Sequence, residues 1–121
     1  MKPISIWLVV MALAQPAWAQ EGYATYYTKA SCQREGTSGV WTASGEEYDE
    51  QALTAALPRR DWGGSYRVCH ADKCVVVRHN DYGPGKKPRA RGVVIDLTPA
   101  AFKLLSPLSE GKISVTVEEI H

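Results

Sequence analysis

The chain predicts an all-β fold closed into a compact barrel. Three observations carry this. The apolar runs are short, turn-forming residues interrupt them throughout, and Val, Ile, Tyr and Thr alternate with polar residues at period two. Five or more such runs and two small helices share about 100 residues, which favours closure over an open sheet. The full length of 121 residues admits one ordinary domain.

Residues 1–19 stand apart from that domain and read as a secretory signal peptide. Lys2 gives the basic start, and Ile4 to Ala14 is an apolar run broken by Ser5. Pro16 ends it, and Ala17-Trp18-Ala19 is a small-x-small cleavage site. The run is short for a bilayer span, so stable membrane insertion after cleavage is not expected. No cysteine lies at the cleavage point to carry a lipid. The expected product is residues 20–121, periplasmic or secreted.

Within it, Tyr23 to Thr28 is rich in Tyr and Thr and reads as a first strand, and Ser31 to Gly39 as a polar loop. Ala52 to Leu57 reads as one or two helical turns stopped by Pro58, followed by a loop over residues 59–64. Ser65 to Cys69 and Cys74 to His79 form a hairpin around four polar residues. A turn-rich stretch from Asn80 to Gly92 carries Gly83-Pro84-Gly85 and the basic run Lys86-Lys87-Pro88-Arg89-Ala90-Arg91. Gly92 to Leu97 is a strand whose Val93-Val94-Ile95 run implies burial on both faces. Thr98 is an N-cap and Pro99 an N1 residue for a short helix over Pro99 to Leu105. Ile113, Val115 and Val117 alternate with Ser114, Thr116 and Glu118 in a half-buried closing strand.

Three cysteines are present. In an oxidising compartment Cys69 and Cys74, at facing hairpin ends, are placed to form a disulfide, leaving Cys32 buried or free to bond another chain. A zinc site built from these cysteines with His70 or His79 is the alternative, but the paired C-x2-C spacing is missing. No metal or other cofactor is expected. Lys+Arg at 14 against Asp+Glu at 13 leave no global field that would make nucleic acid the default partner. Any charge-based function is local.

Four motifs then appear in order: Tyr23-Ala24-Thr25-Tyr26-Tyr27; Thr42-Ala43-Ser44-Gly45-Glu46 with Tyr48-Asp49 and Ala52-Leu53-Thr54-Ala55-Ala56; Val75 through Pro84; and Val94-Ile95-Asp96-Leu97-Thr98-Pro99-Ala100-Ala101. Together they resemble the rare lipoprotein A family across about residues 22–120. The resemblance implies a six-stranded double-psi β-barrel and a lytic transglycosylase acting on peptidoglycan glycan strands to leave 1,6-anhydro-muramic ends; the chain is expected to be a monomer. The Cys-bearing first loop and the Tyr66-Arg67-Val68-x-Cys hairpin also look like barwin and expansin barrels. Those imply the alternative, a module that binds wall polysaccharide without cutting it. A secreted effector or inhibitor using the barrel as a scaffold is a third reading, with no specific feature in its favour.

Breaking a glycosidic bond requires a proton for the leaving oxygen. A lytic transglycosylase uses the sugar's own 6-hydroxyl as nucleophile, so one acid that later serves as base suffices. By resemblance Asp81 is that acid/base and Glu46 an assisting acid. Arg78 and Asn80 in the same motif, with Trp41, Tyr48, Trp62 and Tyr82 in or near the motif loops, are the substrate-binding candidates, flat aromatic faces suiting sugar rings. Packing of the barrel is the other reading for Tyr48. Asp96 either accepts backbone N–H bonds at the strand-to-helix turn or faces the groove. The basic run either holds an anionic polymer or is a solvated loop. The chain departs from the family at Leu57, where the pattern continues with a His associated with activity. His79 shares the side of Asp81, and so can compensate, only if the strand continues through Asn80.

Overall fold

The computed structural model describes residues 19–34 and 41–121. Six strands close a barrel in the order β1-β5-β2-β4-β3-β6: β1 Ala19–Tyr26, β2 Thr54–Leu57, β3 Ser65–His70, β4 Lys73–Tyr82, β5 Val93–Leu97 and β6 Ile113–Ile120. The pairs β1/β5 and β2/β4 are parallel, and the other four are antiparallel. Ala19, the last residue of the expected leader, opens β1 opposite Glu118, and the rest of that leader lies outside the described residues.

The core follows from period-two alternation. Val68, Val75, Val77, Val115 and Val117 point inward with Tyr66, Leu57, Ile95, Leu97 and Phe102, each such burial stabilising by about 1.5–3 kcal/mol. Strand β5 lies between β1 and β2, and Val93, Val94, Ile95 and Leu97 are all buried, as their unbroken apolar run requires. At Gly22 a Cβ would stand 2.5 Å from Val94 Cγ1 and 2.7 Å from the Gly92 carbonyl, so β1 and β5 approach this closely only because that residue is glycine.

Among the described residues three short α-helices decorate the barrel. In α1, Lys29–Arg34, Thr28 and Ser31 cap reciprocally: Thr28 Oγ1 accepts from the Ser31 N–H and Ser31 Oγ from the Thr28 N–H, each at 3.0 Å. This helix occupies the first part of the expected 31–39 loop, of which residues 35–40 lie outside the described residues. The basic run expected as a loop forms α2, Lys86–Ala90, with Pro88 in the first turn, where its missing N–H costs no helical bond. Helix α3, Pro99–Lys103, starts as predicted, with Thr98 Oγ1 accepting from the Ala101 N–H at 3.3 Å.

In place of the expected helical turns at Ala52 to Leu57, Thr54–Leu57 forms the wholly buried strand β2. Ala and Leu favour helix locally, but here the segment hydrogen-bonds to β4 on one side and β5 on the other, and that tertiary pairing outweighs a propensity of tenths of a kcal/mol per residue. The hairpin β3/β4 aligns Cys69 with Cys74, and the two are disulfide-bonded, which removes them as zinc thiolates. The side chain of Cys32 lies outside the described residues.

Candidate functional site

A bulge builds the site. Strand β4 pairs Ala55 with His79 but Ala56 with Asp81, so Asn80 is skipped. The inward alternation Val75, Val77, His79 ends there, and Asp81 is re-aimed to a half-buried outer position. Although the strand runs on through Asn80 to Tyr82, the bulge therefore separates His79 from Asp81. His79 is fully buried against the Trp62 and Tyr66 rings, its Nε2 donating to the Asp81 carbonyl oxygen at 3.0 Å. It does not replace the missing family histidine. Leu57 itself is buried in the apolar core.

Asp81 accepts three hydrogen bonds. Oδ1 takes the backbone N–H groups of Ala43 and Tyr82, each at 2.9 Å, and Oδ2 takes the Tyr27 hydroxyl at 2.8 Å. Tyr27 is held in turn by its ring, stacked on Tyr48 at 4.6 Å, and by the Tyr48 hydroxyl, which donates to the Tyr27 carbonyl. Burial first, and then the Asp81 charge, push the Tyr27 phenol far above its ordinary range, so it stays a donor. Tyr48 is buried, at 3% exposure, and offers no face to a sugar. Its place in the site is beneath Tyr27.

On one side of Asp81, loop 41–47 is pinned to β4. Trp41 bridges Glu47, Thr42 N–H donates to the Glu46 carbonyl at 2.8 Å, and Ser44 N–H to the Asn80 carbonyl at 3.3 Å. Gly45 turns the loop at a φ of 97°, which only glycine adopts without strain. The Glu46 carboxylate then receives Arg78 through both guanidinium nitrogens, at 2.7 and 2.8 Å, and Asn80 Nδ2 at 2.9 Å. The Arg78 hydrogen bonds, seconded by Asn80, lower the Glu46 pKa to about 2, and the same pairing raises that of Arg78.

Three of the expected site residues thus meet one another. The pairing with Arg78 favours the ionised form of Glu46. Arg78 is occupied by it, and Asn80 is buried with its amide committed to the same carboxylate.

Across the barrel, Thr25, Asp96, Ala56 and Asp81 are register partners on four consecutive strands, β1, β5, β2 and β4. The small Ala56 thus separates two aspartates. Asp96 accepts the Thr25 hydroxyl at 2.9 Å, while Thr98 makes the helix cap. Asp96 therefore ties β5 to β1, and its charge also bears on Tyr27.

Two aromatic side chains remain open near Asp81, Trp41 at 62% exposure and Tyr82 at 41%. Trp62 is half-buried on His79. The Arg60 guanidinium lies over the Tyr82 ring at 4.3 Å. Sequence reasoning missed Tyr27 as a site residue, although it stands in the first motif, and Arg60, whose signal was only its place in a loop beside an aromatic-bearing strand. Elsewhere, a concavity of about 540 Å³ lies between β1, β6 and the β3/β4 turn, lined by Glu21, Tyr23, Cys69 and Thr116, and contains none of these groups. Among the described residues no cluster of His, Cys, Asp and Glu has metal-holding geometry, and no helix is long and apolar enough to cross a membrane.

A family profile described as lytic transglycolase matches residues 19–117. The chain belongs to that family. It is 35% identical over 100 residues to a probable endolytic peptidoglycan transglycosylase RlpA of Nostoc, covering 81% of this chain and 25% of that protein. It is 33% identical over 108 residues to the endolytic peptidoglycan transglycosylase RlpA of Haemophilus influenzae, covering 87% and 34%. The chain thus spans about a quarter to a third of the length of these curated relatives. Among solved structures, the Streptomyces papain inhibitor superposes with a TM-score of 0.66 at 24% identity, covering 88% of this chain and 97% of that one. A Clavibacter michiganensis expansin in complex with cellohexaose superposes at 0.64 and 17%, covering 86% and 51%. Both share the fold, the double-psi barrel of this family.

Proposed function

We propose that this barrel is exported and cleaves peptidoglycan glycan strands as a lytic transglycosylase, with Asp81 as its acid/base. The observation that carries this reading is the bulge at Asn80, which turns Asp81 outward against loop 41–47, whose Ala43 N–H it accepts. In the proposed step, Asp81 enters in its protonated form and gives that proton to the glycosidic oxygen as the C1–O bond breaks. The resulting carboxylate takes the proton of the same sugar's 6-hydroxyl as O6 bonds to C1, so no water is consumed. Tyr27 holds the Asp81 carboxyl in one orientation, and the Glu46–Arg78 pair fixes loop 41–47, whose Ala43 N–H reaches the same carboxyl. Residues 1–19 act as the export signal, and the barrel works as a monomer in the periplasm or outside the cell.

A specific observation favours a second reading, binding of wall polysaccharide without cleavage: Leu57 is buried where the family carries its histidine. Incubating sacculi with the protein and examining the released fragments by mass spectrometry separates the two. Fragments ending in 1,6-anhydro-muramic acid support the enzyme. Protein that pellets with several peptidoglycan preparations and releases none is a binding module.

A further inference from the structure

The exposed Tyr82 ring gathers cations. Leu57 is its register partner across β2/β4, and Pro58 follows, so the chain turns back and lays Arg60 over the ring at 4.3 Å. Helix α2 carries Lys86 and Arg89, and these join Arg60 in lowering the Tyr82 pKa, the Arg89 hydrogen bond being the largest cause. Neither Arg60, Lys86 nor Arg89 has a carboxylate ion-pair partner among the described residues, whereas neighbouring Arg59 pairs with Asp61 and Glu119. Three uncompensated cations around one phenol repel one another, and the arrangement gains by taking up an anion. An arginine held over an aromatic ring by its charge keeps N–H donors for a two-pronged grip on a carboxylate.

We propose that Arg60, Lys86 and Arg89, organised by Tyr82 one residue beyond Asp81, form a subsite for a carboxylate carried by the glycan. This rests on the wall-glycan reading and adds a substrate class to it: strands bearing acidic substituents, in preference to neutral β-1,4 glycans. The carboxylate has two possible sources, the lactyl group of muramic acid when free and the stem peptide when attached.

Calorimetric titration tests it on the whole protein with three probes: glycan strands stripped of peptide, strands retaining stem peptides, and neutral chitohexaose. At low salt at least one acidic probe is expected to bind about tenfold tighter than chitohexaose, the gap narrowing as salt rises. In an R60Q/R89Q variant that melts like the wild type, that advantage disappears while chitohexaose affinity holds. Tighter binding of stripped strands assigns the lactyl carboxylate, and tighter binding of peptide-bearing strands the stem peptide. Equal affinity for all three probes, no binding, or an acidic preference that survives R60Q/R89Q overturns the proposal. Because the readout is binding, a protein that keeps this preference yet releases no anhydro ends defeats cleavage and leaves the subsite standing.

Discussion

Toward loop 41–47, the charges beside Asp81 are matched: Arg78 grips both oxygens of Glu46, and Asn80 supplies a further donor. Toward α2, Arg60, Lys86 and Arg89 surround Tyr82 with no carboxylate partner among the described residues. A closed ion pair spends its donors and acceptors on holding a loop in place, and an open cluster keeps them for a ligand. The acid that a motif match singles out with Asp81 thus falls on the structural flank, and the residues available to a substrate fall on the other. Asp81, between them, is fixed by two backbone N–H groups and one phenol.

The strongest break of this comparison is at its centre. Asp81→Asn keeps an oxygen for the two N–H donors and turns its amide toward the Tyr27 oxygen, which can accept, so the fold is expected to survive. Cleavage is expected to fall by about 100-fold to 10,000-fold, the usual worth of a positioned acid. Release of anhydro fragments, with a melting curve as control, measures this. Loss of activity through unfolding alone would remove Asp81 from the chemistry.

Restoring the family histidine probes the floor of the open flank. Leu57 lies in the apolar core, and its carbonyl accepts from the Arg59 and Gly83 N–H groups. Leu57→His puts an imidazole into the apolar core, at a cost of about 2 kcal/mol, and each kcal/mol lowers the Tm by roughly 4–8 °C in a domain of this size. Activity is expected not to rise. A gain in cleavage with an unchanged Tm would show that a histidine here reaches the groove.

Tyr27→Phe removes the phenol and leaves the stack on Tyr48. One hydrogen bond of about 1–1.5 kcal/mol predicts a kcat loss of roughly tenfold with KM unchanged. A rise in KM alone would make Tyr27 a binding residue.

The parts of the fold that depend on local pattern were legible in the sequence. The alternation of β6, the double burial of β5, the β3/β4 hairpin with its disulfide and the Thr98 cap each follow from a few adjacent residues. What was hidden depends on partners far along the chain. Strand β2 is composed of residues that suit a helix and is extended only because β4 and β5 flank it. The bulge at Asn80 leaves no compositional mark, yet it decides that His79 faces the core and Asp81 the groove. Tyr27 meets Asp81 across 54 residues. The motif named the acids, but whether Glu46 carries a proton was set by Arg78, 32 residues away.

The smallest effect separates the matched flank from the rest. The Glu46 pKa is about 2 in the folded chain against an ordinary 4.5, because Arg78 and Asn80 hydrogen-bond the ionised form. A pKa lowered by folding contributes stability that is fully present above about pH 4.5 and is lost as the pH falls through about 2. The two side chains are 46% and 44% exposed, so solvent screening holds the contribution to about 1 kcal/mol or less. Asp61, lowered by Arg59, loses stability in acid as well, so the wild-type curve alone mixes the two. The difference between wild type and Glu46→Gln isolates one of them: denaturant midpoints are expected to differ at pH 6, converge between pH 4.5 and 2, and shift together thereafter. Cleavage by Glu46→Gln is expected to fall modestly, through a loosened loop, since the pairing with Arg78 favours the ionised form of Glu46. A loss as deep as that of Asp81→Asn would instead place Glu46 in the proton transfer and erase the distinction between the two flanks.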